Sequence, residues 1–448
     1  MDHTVDLQTM LAARDRRAER QRELLGKFGL PMISFTMNIA GPVKNNPLIR
    51  RGFQLGRRVL LGQLERMKFD CVFREEWDET TGCEGFFVAD APAEVLKDMT
   101  CALEDASPLG RLFDLDVLAV DGTKLDRPAP RRCLICGKPA KECARSRTHS
   151  VPELQEKTRD ILETALKKFD AETAARLAVQ ALLYEVCVTP KPGLVDRVNN
   201  GSHSDMDIYT FLRSAAALWP YFAQCAEIGR DTAERTAPET FAALRWPGKL
   251  AEGDMIAATG GVNTHKGAIF SMGILCGALG RLERECWTQP ERVLAEVSAM
   301  TAGSAERELA AEVGDAQLTA GQRFFREYGI TGVRGQAEAG FPAVLRFGLP
   351  VLERGLEQGR SADEVGCAAL LAILAHMDDT NMISRGGFEA QQEMAGRLEK
   401  LLDAEPFPER ETLDALDREF IENNLSPGGS ADLLAVSWML HFLREEEV

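Results

Sequence analysis

Residues 110–118, GRLFDLDVL, decide the reading of the first part of the chain. Phe113, Leu115 and Val117 alternate with Asp114 and Asp116, the period-two pattern of a strand with one apolar face. Asp121-Gly122 just beyond closes it with a turn. Upstream, Pro31–Ala40, Cys71–Trp77 and Gly85–Ala89 are equally β-prone, while Leu7–Phe28, Gly52–Leu64 and Ala93–Asp105 space their apolar residues as helices do. Beyond about residue 150 the strand signals stop. Ala171–Val188, Met206–Ala226, Lys266–Arg284, Pro290–Val313, Ala316–Tyr328, Phe341–Gln358, Ala362–Met377, Ala390–Ala404, Glu411–Asn423 and Ser430–Glu445 all read as helices. The expected architecture is therefore multidomain: a mixed α/β, nucleotidyltransferase-like domain over 1–168 and an all-α domain over 169–448, with the boundary in the charged segment between Ser150 and Asp170.

The 448 residues are 45% hydrophobic and 27% charged, values of a globular protein rather than a disordered one. A net charge of −16 argues against a general nucleic-acid binder. All of the acidic excess follows residue 168, the part before it being slightly basic, so the two parts are built for different tasks. The 11 cysteines are not spaced as a secreted disulfide framework and read as reduced thiols of a cytoplasmic protein. The N-terminus lacks a signal-peptide core, and the apolar run Gly267–Gly280 is too short to span a bilayer.

Three constellations carry chemistry. The first is the strand itself, whose periodicity puts Asp114 and Asp116 on one face. Two neighbouring carboxylates repel, and Mg²⁺ shared with substrate phosphates removes that cost. Gly110 and Arg111 would let a phosphate approach; the plainer alternative is a solvated edge strand. The second is the run RRCLICGKPAKECARSRTHS, in which Cys133, Cys136, Cys143 and His149 have zinc-knuckle spacing. Its Arg131, Arg132, Arg145 and Arg147 equally suit a metal-free loop that binds polyphosphate.

The third constellation is four polar segments in the helical part. TPKPGLVDRVNNGSHSDMD supplies Lys191, His203, Asp205 and Asp207. ATGGVNTHKGAIF supplies Gly260, Gly261, Asn263, Thr264, His265 and Lys266. YGITGVRGQAEAGFP supplies Arg334, and AHMDDTNMISRGG supplies Asp378 and Asp379. A Gly-Gly loop running into a helix with Lys in its first turn can cradle phosphate. The aspartates Asp205/Asp207 and Asp378/Asp379 can anchor Mg²⁺ on the same phosphates. Each segment taken alone also reads as a helix-capping loop.

Residues 10–21 (MLAARDRRAERQ), GPVK, GRLFDLDVL and the cysteine-rich run resemble the citrate lyase holo-[acyl-carrier protein] synthase family, the apo-citrate lyase phosphoribosyl-dephospho-CoA transferases. The four polar segments and NNLSPGGSADLLA resemble triphosphoribosyl-dephospho-CoA synthase. The resemblance implies a bifunctional fusion with ATP and 3′-dephospho-CoA as substrates. The helical part would join the 2′-hydroxyl of dephospho-CoA to C1 of the ATP ribose and expel adenine. The first part would then transfer the triphosphoribosyl product to a serine of the apo-citrate lyase acyl-carrier subunit, releasing pyrophosphate. It also implies catalytic roles for Asp114, Asp116, His203, Asp205, Asp378 and Asp379. The competing readings are the related maturation enzyme of malonate decarboxylase and a non-catalytic zinc-knuckle interaction protein. The second leaves the His, Lys and Asp residues of the helical part without a task.

Overall fold

Four antiparallel strands organise the first part of the chain in the computed structural model, which describes residues 3–310 and 319–446. They are β1 (Met32–Met37), β2 (Cys71–Glu79), β3 (Gly82–Ala89) and β4 (Phe113–Leu118), in the spatial order β2-β3-β1-β4. Helices α1 (Leu7–Phe28), α2 (Pro47–Arg66) and α3 (Ala93–Asp105) cover the sheet. Ile33, Phe35, Phe87, Leu115 and Val117 pack with Phe53, Leu60 and Leu64 of α2 and Leu96 of α3. The other face buries Met32, Phe86, Val88 and Leu118 against Leu24 and Leu25 of α1. By strand alternation Asp114 and Asp116 lie on this second face, opposite Thr36 and Ser34 of β1. β4 is an edge strand, which leaves its carboxylates reachable.

The basic side of α1 is spent within the fold. Arg17 pairs with the buried Glu84 at 2.5 Å and Arg20 with Glu75 at 2.8 Å, so these arginines hold the helix on the sheet. Gly110 is likewise structural. A Cβ there would stand 2.3 Å from the Leu103 carbonyl at the end of α3, so the glycine serves helix–strand packing rather than phosphate approach. The residues before β4 form a 3₁₀ turn, Gly110–Leu112, where the sequence predicts strand.

A short helix α4 (Ala140–Ser146) precedes α5 (Val151–Cys187). The charged segment between Ser150 and Asp170, where the boundary is expected, forms the first part of this 37-residue helix. Its one proline, Pro152, sits in the first turn, and no glycine follows to break it. The chain forms two compact units, Met1–Lys167 and Lys168–Val448.

The second unit is helical throughout its described residues. Its helices are α6 (Ile208–Ala217), α7 (Trp219–Asp231), α8 (Ala237–Thr259), α9 (Lys266–Arg281), α10 (Pro290–Thr301), α11 (Ser304–Leu309), α12 (Ala320–Tyr328) and α13 (Gly332–Glu338). A π-helical turn, Val344–Gly348, runs into α14 (Leu349–Glu357), followed by α15 (Ala362–Ala375), α16 (Thr380–Gly386), α17 (Phe388–Ala404), α18 (Arg410–Glu422) and α19 (Gly428–Glu445). Helices α9, α15 and α19 are buried on nearly every side and form the centre.

The structure departs from the predicted helices at identifiable residues. Met206–Ala226 divides at Leu218, because Pro220 cannot donate a helical hydrogen bond. Pro290–Val313 divides at Gly303, whose φ is +67°. Residues 311–313 and 316–318 of two predicted helices lie outside the described residues. Helix α8 is absent from the sequence reading; Pro247-Gly248 interrupts its middle, yet Thr236 and Glu239 form a capping box at its start.

Candidate active sites

In the first unit Asp114 and Asp116 share a face as expected, each beside a cation. Arg131 approaches Asp114 at 3.2 Å and Lys124 approaches Asp116 at 2.6 Å. The neighbouring Glu104, at the end of α3, is missed by the sequence reading, since nothing marks a helical glutamate as buried. Its side chain is 2% exposed. It accepts the Leu115 amide at 2.7 Å and Arg127 at 2.6 Å, and Arg131 also bonds to it. Burial raises the Glu104 carboxyl, opposed by the Leu115 amide and then by Arg131 and Arg127. Glu104 therefore clamps two arginines beside the aspartate strand. Arg111 reaches Asp105 at 3.2 Å and bonds to the Arg132 carbonyl, tying β4 to the cysteine-rich run.

That run folds as a knuckle. Cys133 N–H donates to Lys138 O and Gly137 N–H returns to Cys133 O, with Gly137 at φ +70°. Cys143 comes from α4 and His149 from the turn before α5. One ligand atom from each of Cys133, Cys136, Cys143 and His149 lies within 4.8 Å of all the others. The neighbouring His149 and then the Lys138 amide draw the Cys136 thiol down to about 6, whereas Cys136 pushes the Cys143 thiol up to about 11. Arg132, Arg145 and Arg147 are exposed around this cluster.

In the second unit the expected residues divide into two groups. Asp207 caps α6, accepting the Thr210 amide at 2.8 Å and its hydroxyl at 2.6 Å. Those bonds hold its carboxyl below the ordinary range. Asp205 is exposed and lies 4.0 Å from His203 Nδ1, whereas Asp207 is engaged in the helix cap. Asp379 is fully buried and accepts four donors: the Asn381, Met382 and Ser430 amides and the Ser430 hydroxyl. Asp378, by contrast, is exposed and bonds to Gln392 at 3.0 Å. Gly260 ends α8 in the left-handed region, and the glycine pair is a helix C-cap. Asn263 and Lys266 are exposed, with Lys266 paired to Glu252 at 3.0 Å. His265 points the other way, into the core, so it and Lys266 do not form one phosphate cradle.

What converges instead is a buried polar cluster at the start of α9. Lys191 is 1% exposed and bonds to the buried Glu185 of α5, an internal pair rather than a substrate clamp. His265 Nδ1 lies 2.7 Å from Ser214 Oγ, to which Thr264 donates at 2.8 Å. His265 Nε2 is buried without a hydrogen bond. Asp432 of α19 faces the same helix start and accepts the Ala268 amide. Burial, then Glu185 and Asp379, raise its carboxyl well above the usual range. Gly267 permits this approach, since a Cβ there would stand 1.9 Å from Asp432 Oδ2. Glu185 and Asp432 are missed by the sequence reading because each sits in a locally apolar stretch of its helix, AVQALLYEVC and SADLLAVSW; the HKG start of α9 is the signal that points toward Asp432.

Around this cluster the loop 189–203 is held by one carboxylate of its own and one from α18. Asp196 accepts the Lys191, Val198 and Asn199 amides, and Asp417 of α18 accepts the Gly193 amide and Asn199 Nδ2. His203 lies 2.9 Å from Ser426 Oγ and 3.3 Å from Arg385. Burial and then Arg385 lower its pKa. Arg334 stacks over Phe270 at 5.7 Å and pairs with Glu308 at 3.1 Å, beside Arg245 and Arg307 in a cleft of about 410 Å³. Phe270, on which Arg334 rests, lies one turn along α9 from Gly267.

The burial of His265 has a stability consequence. Burial and then Lys191 lower its pKa from 6.5 to about 3, so the folded state keeps it neutral where the unfolded chain takes up a proton. The unfolded state then binds more protons between these values, and stability falls as pH drops below 6.5. At pH 5 the cost is about 2 kcal/mol. Urea unfolding should show the wild type losing about that much relative to His265→Gln between pH 7 and pH 5. A difference independent of pH would mean that the imidazole is not held neutral.

Residues 5–165 match the family described as apo-citrate lyase phosphoribosyl-dephospho-CoA transferase, CitX. Residues 171–448 match the ATP:dephospho-CoA triphosphoribosyl transferases, CitG. The chain is 34% identical to Protein CitXG of Leuconostoc mesenteroides subsp. cremoris, with 97% of each chain covered. It is 36% identical to Protein CitXG of Haemophilus influenzae, over 97% of this chain and 95% of that protein. A probable 2-(5''-triphosphoribosyl)-3'-dephosphocoenzyme-A synthase of Citrobacter koseri is 43% identical over 270 residues, 59% of this chain and 89% of its own length.

Proposed function

The chain belongs to the family of CitX–CitG fusions, bifunctional transferases of citrate lyase prosthetic-group synthesis and attachment, and we propose that residues 169–448 make the group and residues 1–168 attach it. In the first step ATP and 3′-dephospho-CoA give 2′-(5″-triphosphoribosyl)-3′-dephospho-CoA and adenine. In the second a serine of the apo-citrate lyase acyl-carrier subunit takes the phosphoribosyl-dephospho-CoA group and pyrophosphate leaves. The observation that carries this reading is the correspondence of the two family matches, 5–165 and 171–448, with the two compact units.

Cleaving the ribose–adenine bond builds positive charge on the sugar and requires a proton for the leaving base. Asp432 is suited to supply that proton, since its surroundings favour the protonated carboxyl. Glu185, held against Lys191, provides the anionic partner whose charge raises Asp432. The arginines of the Arg334 cleft suit the triphosphate, which moves the phosphate assignment away from His265 and Lys266.

In the transfer step the serine hydroxyl oxygen bonds to phosphorus as the bond to pyrophosphate breaks. Arg127, Arg131 and Lys124 surround the strand where the phosphates would lie. The Asp114 and Asp116 side chains are 42% and 27% exposed and offer hard oxygen donors on one face, which fits Mg²⁺. When bound, Mg²⁺ neutralises charge on the transferring phosphates. The test is one reaction of ATP, dephospho-CoA and apo-carrier with the full chain. Adenine should be released and the carrier should gain the mass of phosphoribosyl-dephospho-CoA. An unchanged carrier together with no adenine would overturn the reading, and the apo-carrier of malonate decarboxylase serves as the competing acceptor.

A further inference from the structure

We propose that Cys133 Sγ, Cys136 Sγ, Cys143 Sγ and His149 Nε2 bind one structural Zn²⁺ that holds Arg131 at the aspartate strand. Tetrahedral Zn²⁺ with sulfur at about 2.3 Å separates its ligand atoms by about 3.5–3.8 Å. The four donors here already lie within 4.8 Å of one another, and Cys136 Sγ stands 3.4 Å from Cys143 Sγ. His149 Nε2 is shielded from solvent without a hydrogen bond of ordinary geometry, although a buried imidazole nitrogen normally has a partner. Three thiols and that nitrogen form a complete four-coordinate set with no position left for a substrate, the composition of a structural rather than a catalytic zinc site.

The knuckle's connections say what the metal would stabilise. Arg132 pairs across the knuckle with Pro139, its carbonyl receives Arg111, and the adjacent Arg131 spans Glu104 and Asp114. Glu104 anchors the segment before the knuckle through Arg127 and Arg131, but within the knuckle itself Leu134 is only partly buried and most of its neighbours are exposed. Coordination at Cys133 fixes the backbone two residues beyond Arg131. Arg131 is thus a positioning target of the metal, and no ligand is asked to touch substrate.

The full-length protein, purified reduced and without chelator, should carry about one zinc per chain by plasma mass spectrometry. A mercurial reagent should release that zinc as the thiols react. Cobalt exchanged into the site should give the thiolate charge-transfer band and the intense d–d bands of a tetrahedral thiolate centre. Cys143→Ser should lose the metal and lower carrier loading from supplied precursor by about 10–100-fold, with adenine release unchanged. If that variant does not fold, the cobalt spectrum of the wild type decides. Substoichiometric zinc with no cobalt spectrum would overturn the proposal, as would a native mass lowered by two hydrogens, which would mean a Cys136–Cys143 disulfide instead. Zinc present in the wild type with full loading by a metal-free variant would overturn the link to Arg131.

Discussion

Asp432→Asn should slow adenine release by about 10²–10⁴-fold, the range lost when a positioned general acid or base is removed. Asn keeps the size of Asp and an oxygen that can accept the Ala268 amide, so the helix start should stay intact. What it loses is a carboxyl whose pKa is raised by burial and by the proximity of Glu185, the form suited to give up a proton. A role in proton transfer predicts that the loss falls on kcat, with the apparent affinities for ATP and dephospho-CoA little changed. It also predicts that carrier loading from supplied triphosphoribosyl-dephospho-CoA continues, since that step belongs to the first unit, and an unchanged thermal unfolding transition checks that the second unit is folded. Full adenine release by this variant would sink the assignment. A loss confined to KM would make Asp432 a binding residue instead.

Most secondary structure of the first unit was legible because its signals are local. Alternation in GRLFDLDVL places β4, and helical spacing places α1 and α3. The aspartate face and the knuckle followed from short-range spacing for the same reason. In the second unit the polar segments were legible as unusual, but which of their residues converge was not. Adjacent residues diverge there, as with buried His265 and exposed Lys266, or buried Asp379 and exposed Asp378. The decisive acids lie far apart in the chain, Glu185 on α5 and Asp432 on α19, and only tertiary packing brings them to the start of α9. Capping chemistry also mimics site chemistry: Asp207 and Asp379 stand where they do because helices begin there.

Asp116→Asn should reduce carrier loading by at least about 10³-fold while adenine release continues, if Asp116 helps hold the Mg²⁺ of the transfer step. Two explanations compete for this carboxylate. In the first it merely neutralises Lys124 at 2.6 Å, a pair in which Lys124 is 58% exposed. Such surface pairs contribute about 0–1 kcal/mol, so their loss would leave loading nearly intact. In the second its oxygens bind the metal, and Lys124 marks where a phosphate lies. Lys124→Met separates them. If the ion pair alone mattered, removing either partner would have the same small effect. If the carboxylate binds Mg²⁺, Lys124→Met should weaken precursor binding only moderately, and Asp116→Asn should move the Mg²⁺ requirement to higher concentration. Asp114→Asn should behave like Asp116→Asn, with an added effect from releasing Arg131, which then rests on Glu104 alone. Wild-type loading and an unshifted Mg²⁺ dependence in Asp116→Asn would leave β4 an ordinary edge strand with solvated aspartates, and the metal would have to be sought elsewhere in the first unit.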